Sequence, residues 1–128
     1  MNNSISILIT NFNKSKFLKK SLSCVENQNY DNYEIILFDD CSTDNSIEII
    51  KKFKKIKLIK NFKKKRSPAL SQIYGIEQAF KKSKGNIICL MDADDFFKKN
   101  KLLEISKYFN ENKNANILFN YLKYKKKF

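Results

Sequence analysis

Short apolar runs alternate along this chain with longer stretches in which apolar residues recur at helical spacing. The apolar runs predict five strands, over residues 4–9, 33–38, 56–59, 86–91 and 116–122. The helical spacing predicts four helices, which begin near residues 15, 46, 68 and 98 and end near residues 28, 55, 80 and 110. A helix between consecutive strands is typical of parallel pairing.

The composition of the strands predicts how the layers are arranged. Ile35, Ile36 and Leu37 are apolar in succession, whereas a half-exposed strand would alternate apolar and polar residues. Helices should therefore cover both faces of the sheet, which predicts an α/β, Rossmann-like fold with a mostly parallel sheet. The length of 128 residues fits a single domain, residues 1–128, that ends in a basic tail at residues 121–128.

Polar clusters follow three of the predicted strands: Thr10–Asn13 after the first, Asp39–Asp40 after the second and Asp92–Asp95 after the fourth. The carboxyl ends of parallel strands share one edge of the sheet, and ligands of such folds bind there. The last cluster brings three carboxylates within four residues, which suits a hard divalent cation. The competing interpretation is that these residues only end a strand and cap the next helix.

Composition excludes several classes of function. The formal net charge is +13, but Arg66 is the only arginine. Sequence-specific nucleic-acid readers favour arginine for bidentate base contacts, so no specific nucleic acid is expected as a partner. The absence of histidine excludes Ser-His and Cys-His catalysis and histidine-ligated metals. Cys24, Cys41 and Cys89 lack the spacing of a disulfide framework or a structural zinc site.

Three segments together resemble the family 2 glycosyltransferases, which have the GT-A fold. Residues 4–13 (SISILITNFN) are similar to that family's opening strand and turn. Residues 35–46 (IILFDDCSTDNS) are similar to its second motif, in which position 41 is usually glycine. Residues 86–95 (NIICLMDADD) are similar to its metal-binding D-x-D motif. The resemblance extends over residues 4–105 in the family's order and spacing.

The resemblance implies that the chain binds a nucleotide-diphosphate sugar such as a UDP-sugar. Thr10 and Phe12 would border the base, with the ring of Phe12 packed against it. Asp40 would accept a hydrogen bond from the base, and Asp39 would support that loop. The alternatives are an ordinary buried side chain for Phe12 and a helix cap for the two carboxylates; for Asp44 the cap is the preferred interpretation.

The resemblance also implies a divalent ion, Mg or Mn, as cofactor. Asp94 would coordinate the metal, Asp92 would lie near the ribose and the metal, and Asp95 would either support them or start the next helix. Such an ion would stabilise charge on the departing diphosphate. In the basic loop, Lys63–Lys65 and Arg66 would either help to hold the phosphates or form a solvated surface.

Two features depart from the family pattern. Where the family commonly has Ala-Arg-Asn-x-Gly, residues 71–75 read SQIYG, so only Gly75 is kept. Family members also continue into an acceptor-binding half that carries the catalytic base, whereas this chain ends at Phe128. We therefore expect a donor-binding half that lacks the acceptor half. No catalytic residue is identified, and sugar transfer by this chain alone is expected to be poor or absent.

The expected acceptor is a glycan or a lipid-linked molecule. The absence of a signal-like segment predicts a cytoplasmic protein, and its lysines suggest peripheral contact with the inner face of the membrane. One alternative function is a non-catalytic basic module that binds anionic membrane or RNA. A less favoured one is a receiver-type phosphoacceptor domain, whose acidic positions are occupied here by Thr10–Asn11 and Lys60–Asn61.

Overall fold

The computed structural model describes residues 2–64 and 67–118. In these two ranges, strands and helices alternate strictly along the chain. They are β1 (Ile5–Asn11), α1 (Ser15–Glu26), β2 (Tyr33–Asp40), α2 (Ser46–Ile50), β3 (Ile56–Asn61), α3 (Pro68–Lys82), β4 (Ile87–Asp92) and α4 (Lys101–Glu111).

The four strands form one parallel sheet in the order β3-β2-β1-β4. This confirms the predicted α/β, Rossmann-like architecture, whose sheets run in the order 3-2-1-4. Receiver-type domains instead have the order 2-1-3-4-5, so that alternative is wrong. The register places Thr10 beside Phe38 on one side and beside Asp92 on the other, and thereby brings all three polar clusters to one edge of the sheet.

Helices cover both faces of the sheet, as the continuous apolar strands predicted. On one face, Ile7 and Leu37 pack in a core with Leu22 of α1 and Leu102 of α4. On the other face, a smaller core joins Leu8 and Ile36 to Ala79 of α3. Side chains of a strand point alternately to the two faces, so nearly every central-strand residue is buried.

Helix α3 approaches the sheet through its small residues. Ser71, Gly75 and Ala79 recur every four residues and are buried against the strands. A Cβ atom on Gly75 would lie only 2.6 Å from Cδ1 of Phe38. The bulkier Ile73 and Phe80 of the same helix are exposed. The helix therefore packs on the sheet through the face that carries its small residues, next to the polar carboxyl ends of the strands.

The strands are longer at their carboxyl ends than predicted. β1, β2 and β4 include the polar residues Asn11, Asp40 and Asp92 as their last members. Side chains explain two of these extensions: Nδ2 of Asn11 donates to Oδ1 of Asp39 (2.7 Å), and Nδ2 of Asn61 donates to Oδ1 of Asp40 (2.8 Å). Both pairs are register partners, so side-chain bonds continue the ladder where apolar residues end.

Two helix boundaries and one strand prediction need correction. α2 ends at Ile50 and not near residue 55, since four of the next five residues are lysines whose like charges oppose a further turn. α4 begins at Lys101 and not near residue 98. In the predicted strand over residues 116–122, residues 116–118 are irregular and the remainder lies outside the described residues. Arg66 and the tail at residues 121–128 also lie outside them.

Candidate functional site

A cleft of about 300 Å³ opens at the carboxyl edge of the sheet, where β1, β2 and β4 end. It lies at the point where the strand order reverses, between β1 and β4. Its walls come from all three polar clusters, the loop after β3 and the start of α3. The lining residues are Thr10, Asn11, Phe12, Lys14, Phe38, Asp40, Lys64, Pro68, Ser71, Gln72, Asp92, Ala93 and Asp94.

Two residues in left-handed backbone conformations shape the loops beside the cleft. Asn13 has a φ of 51°, which asparagine tolerates, and its Oδ1 accepts hydrogen bonds from the backbone N–H groups of Thr43 (2.7 Å) and Asp44 (3.3 Å). Cys41 has a φ of 58°, a region that favours glycine. That is the position where the resembled family usually has glycine, so the loop keeps this backbone shape with a different residue.

Asp39 holds these loops together from below the cleft. Its carboxylate is buried and accepts hydrogen bonds from Nδ2 of Asn11 (2.7 Å) and from the hydroxyl (2.6 Å) and backbone N–H (3.0 Å) of Ser42. Asp39 does not line the cleft. Asp39 therefore supports the loop after β2 through its bonds to Ser42 and Asn11.

Asp40 presents a partly unsatisfied carboxylate to the cleft. Oδ1 accepts a hydrogen bond from Asn61, whereas Oδ2 is buried and has no hydrogen-bond partner among the described residues. Among the described residues, the cation nearest to Oδ2 is Nζ of Lys64, which lies 3.6 Å away, too far for a hydrogen bond. Oδ1 of Asn11 is another buried acceptor without a partner in this part of the chain. Buried acceptors without partners are rare, and two of them in one cleft point to a ligand that donates hydrogen bonds.

Phe12 lies at the mouth of the cleft and is 42% exposed. The interpretation of Phe12 as an ordinary buried residue is therefore wrong. Nζ of Lys64 lies 3.1 Å from the centre of its ring. Lys64 thus lines the cleft, whereas Lys63 in the same loop does not; Lys65, like Arg66, lies outside the described residues.

The acidic cluster after β4 caps no helix, because α4 begins only at Lys101. Nζ of Lys14 lies 2.6 Å from Oδ2 of Asp94, and Nε2 of Gln72 donates to Oδ1 of Asp92 at 2.6 Å. Burial raises the pKa of Asp92, and the nearby charges of Asp95 and Asp94 raise it further. This repulsion among the three carboxylates favours binding of a cation beside them. The capping interpretation of this cluster is therefore wrong.

Asp44 has the capping role that the sequence predicts for it. Its carboxylate accepts hydrogen bonds from the backbone N–H groups of Ser46 at the start of α2 and Ser15 at the start of α1, both at 2.9 Å. Burial opposes the charged form, but these bonds outweigh it and lower the pKa of Asp44 to about 2. Asp44 does not line the cleft.

Sequence reasoning missed the parts that Lys14 and Asn11 play in the cleft. Lys14 gives no local signal, because it is one lysine among many and its partner Asp94 is 80 residues away. Asn11 lies in the first motif, but its unpaired Oδ1 depends on a tertiary pairing with Asp39. Gln72 is in the segment that departs from the family pattern, and its contact with Asp92 was not foreseen.

Residues 6–128 match the sequence profile described as Glycosyl transferase family 2. An uncharacterized glycosyltransferase of Rickettsia bellii is 37% identical over 123 residues, which cover 95% of this chain and 17% of that protein. A dolichyl N-acetyl-alpha-D-glucosaminyl phosphate 3-beta-D-2,3-diacetamido-2,3-dideoxy-beta-D-glucuronosyltransferase of Methanococcus voltae is 34% identical over 105 residues, 77% of this chain and 33% of that protein. The chain thus spans a third or less of these two curated relatives.

Solved structures share the fold at low sequence identity. S. aureus TarS 1-349 in complex with UDP-GlcNAc superposes with a TM-score of 0.77 at 22% identity, over 84% of this chain and 31% of that one. The mannosyltransferase PcManGT from Pyrobaculum calidifontis, in complex with GDP-Man and Mn2+, gives a TM-score of 0.69 at 17% identity, over 80% and 31%. The fold is the GT-A fold, of which this chain covers part. In the described part of the chain, no helix has the length and apolar character needed to cross a membrane.

Proposed function

The chain belongs to glycosyl transferase family 2, and on that ground we propose that its cleft binds a nucleotide-diphosphate sugar together with Mg or Mn. The sugar is transferred to a hydroxyl of a glycan or lipid-linked acceptor. The observation that carries this proposal is the pairing of two different half-sites in one cleft. One half has an exposed aromatic ring beside an unsatisfied buried carboxylate, Phe12 and Asp40; the other has the carboxylates of Asp92 and Asp94.

The first half suits a nucleotide base. Oδ2 of Asp40 accepts a hydrogen bond from a ring N–H, a group that uracil and guanine both carry. The exposed ring of Phe12 provides a face on which the base stacks, and Thr10 borders it from the end of β1. A TarS structure with UDP-GlcNAc and a PcManGT structure with GDP-Man support a nucleotide sugar as the ligand class.

The second half suits a divalent ion that is coordinated partly by the protein and partly by the donor. No three His, Cys, Asp or Glu side chains converge on a metal site within residues 2–64 and 67–118. Magnesium and manganese accept such sparse sites, in which one or two carboxylates are completed by substrate phosphates and water. Asp94 and Asp92 would hold the ion, which would neutralise the charge that develops on the departing diphosphate.

Two other residues that line the cleft contact the carboxylates proposed to hold the ion. Gln72 donates a hydrogen bond to the carboxylate of Asp92, and Lys14 forms an ion pair with that of Asp94. Transfer breaks the bond between the anomeric carbon and the diphosphate oxygen and forms a new bond to the acceptor oxygen, whose proton must pass to a base. We assign that base to none of the described residues. The proposal for this chain is therefore donor binding, with transfer completed by groups beyond the described part.

Calorimetric titration of UDP and GDP, with and without Mn²⁺, tests this proposal. We expect Mn²⁺ to increase nucleotide affinity by at least about tenfold, as expected of an ion that bridges protein and diphosphate. Asp94→Asn should abolish the increase. Asp31→Asn removes one carboxylate from the exposed surface away from the cleft and is the matched control; it should retain the increase.

Two outcomes would overturn the proposal: no nucleotide binding at all, or binding that Mn²⁺ and Asp94→Asn leave unchanged. The alternative of a basic binding module makes a different prediction. It would bind anionic vesicles or RNA with an affinity that falls steeply with salt, and it would be indifferent to Asp94→Asn.

A further inference from the structure

Lys64 occupies the place that the proposed function assigns to the base. Its ammonium lies 3.1 Å from the centre of the Phe12 ring and 3.6 Å from Oδ2 of Asp40. A base that stacks on Phe12 and donates to Asp40 would need the same volume. The ammonium and the base therefore exclude each other.

The contacts of Lys64 are of a kind that a ligand can replace. Oδ2 of Asp40 is buried, and an uncompensated buried charge is costly, so the nearby ammonium compensates it. At 3.6 Å, however, the ammonium provides charge without a hydrogen bond to that oxygen. A base N–H would supply the missing hydrogen bond, and the base would replace the cation on the aromatic face.

When a base displaces the ammonium group of Lys64, that group loses its contact with Asp40 and another anion can take the place of that carboxylate. Lysine is a compact charge on a flexible stem, and the same cleft extends from Asp40 to Asp92 and Asp94, where the diphosphate would lie. We propose that Lys64 is an exchangeable cation, which occupies the base site before the donor binds and moves onto the diphosphate when the donor binds. This inference rests on the proposed function and adds a specificity-determining residue to it.

The exchange discriminates between ligands. A free nucleoside must displace Lys64 and offers no anion in return, so Lys64 opposes its binding. A nucleoside diphosphate displaces the same ammonium and provides phosphate oxygens to receive it. Lys64 therefore selects phosphorylated nucleotides over nucleosides, independently of the metal.

The experiment compares uridine with UDP, and guanosine with GDP, in buffer that contains a chelator so that no divalent ion contributes. Lys64→Met removes the charge and keeps the length of the side chain. Lys60→Met is the matched control, because it removes the same charge from β3 at a residue that does not line the cleft and whose ammonium lies 5.6 Å from the exposed ring of Phe62.

In Lys64→Met we expect nucleosides to bind about three- to tenfold more tightly, the range that a partly exposed cation–π contact represents. Nucleoside diphosphates should bind about tenfold more weakly, because one charge-assisted contact is lost. The ratio of the two dissociation constants should be unchanged in Lys60→Met. An unchanged ratio in Lys64→Met would overturn this inference alone, and so would a wild-type chain that binds neither ligand class in chelator. Only a further lack of UDP and GDP binding in the presence of Mn²⁺ would overturn the proposed function as well.

Nuclear magnetic resonance gives a direct readout of the exchange. In the free protein, the ring current of Phe12 should shift the ε-methylene protons of Lys64 upfield. Saturation with UDP should remove that shift. An ε-methylene resonance that stays upfield in the UDP complex would show that Lys64 never leaves the ring, and would contradict the exchange.

Discussion

Nζ of Lys14 lies 2.6 Å from Oδ2 of Asp94, although 80 residues separate the two in the sequence. The hydrogen bond that Lys14 donates to Asp94 raises the pKa of Lys14, so the ammonium stays charged. The chain thus places a cation of its own on the carboxylate that is proposed to coordinate the metal.

Lys14→Met should increase the affinity of the cleft for Mn²⁺ alone by about two- to fivefold, because it removes a competing cation whose exposed ion pair is worth about 1 kcal/mol or less. Electron paramagnetic resonance of free Mn²⁺ measures this affinity without nucleotide. Lys16→Met, whose ammonium lies 6.0 Å from the Phe17 ring, is the charge-matched control. Weaker Mn²⁺ binding in Lys14→Met would contradict the competition.

Asp39→Ala should destabilise the fold by about 2–4 kcal/mol, because it leaves the buried amide of Asn11 and the groups of Ser42 without their acceptor. Urea denaturation followed by circular dichroism measures the change. Asp31→Ala, at an exposed residue, should change the free energy of unfolding by less than about 0.5 kcal/mol. Equal effects of the two substitutions would contradict a structural role for Asp39.

Gly75→Ala tests how closely α3 packs on the sheet. Helix propensity alone would make alanine stabilising by about 1 kcal/mol at this position. The added Cβ would lie 2.6 Å from Cδ1 of Phe38 and 3.1 Å from Cγ2 of Thr10, so we expect a net loss of about 1–3 kcal/mol. Because both neighbours line the cleft, nucleotide affinity should fall as well. A stabilised variant in urea denaturation would show that α3 shifts without strain.

Glu34 makes stability depend on acid pH. Burial would raise its pKa, but contacts from Lys57, Ser6 and the backbone N–H of Lys84 outweigh burial and lower the pKa from 4.5 to about 2. Since the folded state binds this proton less readily than the unfolded state, the stabilisation is complete above about pH 5 and is lost as the pH falls from about 4.5 to 2.

Glu34→Gln should therefore lower stability at pH 7, by up to about 3 kcal/mol, and make the decline between pH 4.5 and 2 shallower. Part of the decline should remain, since the pKa of Asp44 is also lowered to about 2. Thermal unfolding across this pH range measures both effects. Parallel profiles for the wild-type chain and the variant would contradict the assignment to Glu34.

The local sequence pattern was sufficient to predict much of the fold and the position of the candidate site. The alternation of apolar runs with helical spacing predicted the layers, because burial on both faces requires continuous apolar strands such as Ile35–Leu37. The meeting of Thr10, Asp40 and Asp92 at one edge also followed, because parallel strands end on the same side. Motif resemblance then indicated the family, which the match over residues 6–128 confirms.

The features that the local sequence pattern did not predict depend on contacts between residues that are distant in the sequence. Strand order excluded the receiver-type fold, and the late start of α4 at Lys101 excluded helix capping by Asp92–Asp95. Among the lysines of the described residues, the tertiary structure also decided which two line the cleft. Lys14 and Lys64 are chemically the same as their neighbours, and only the folded chain brings their ammonium groups to Asp94 and to Phe12. Sequence determined where the acidic and aromatic groups of the site lie along the strands, whereas folding determined which cations face them.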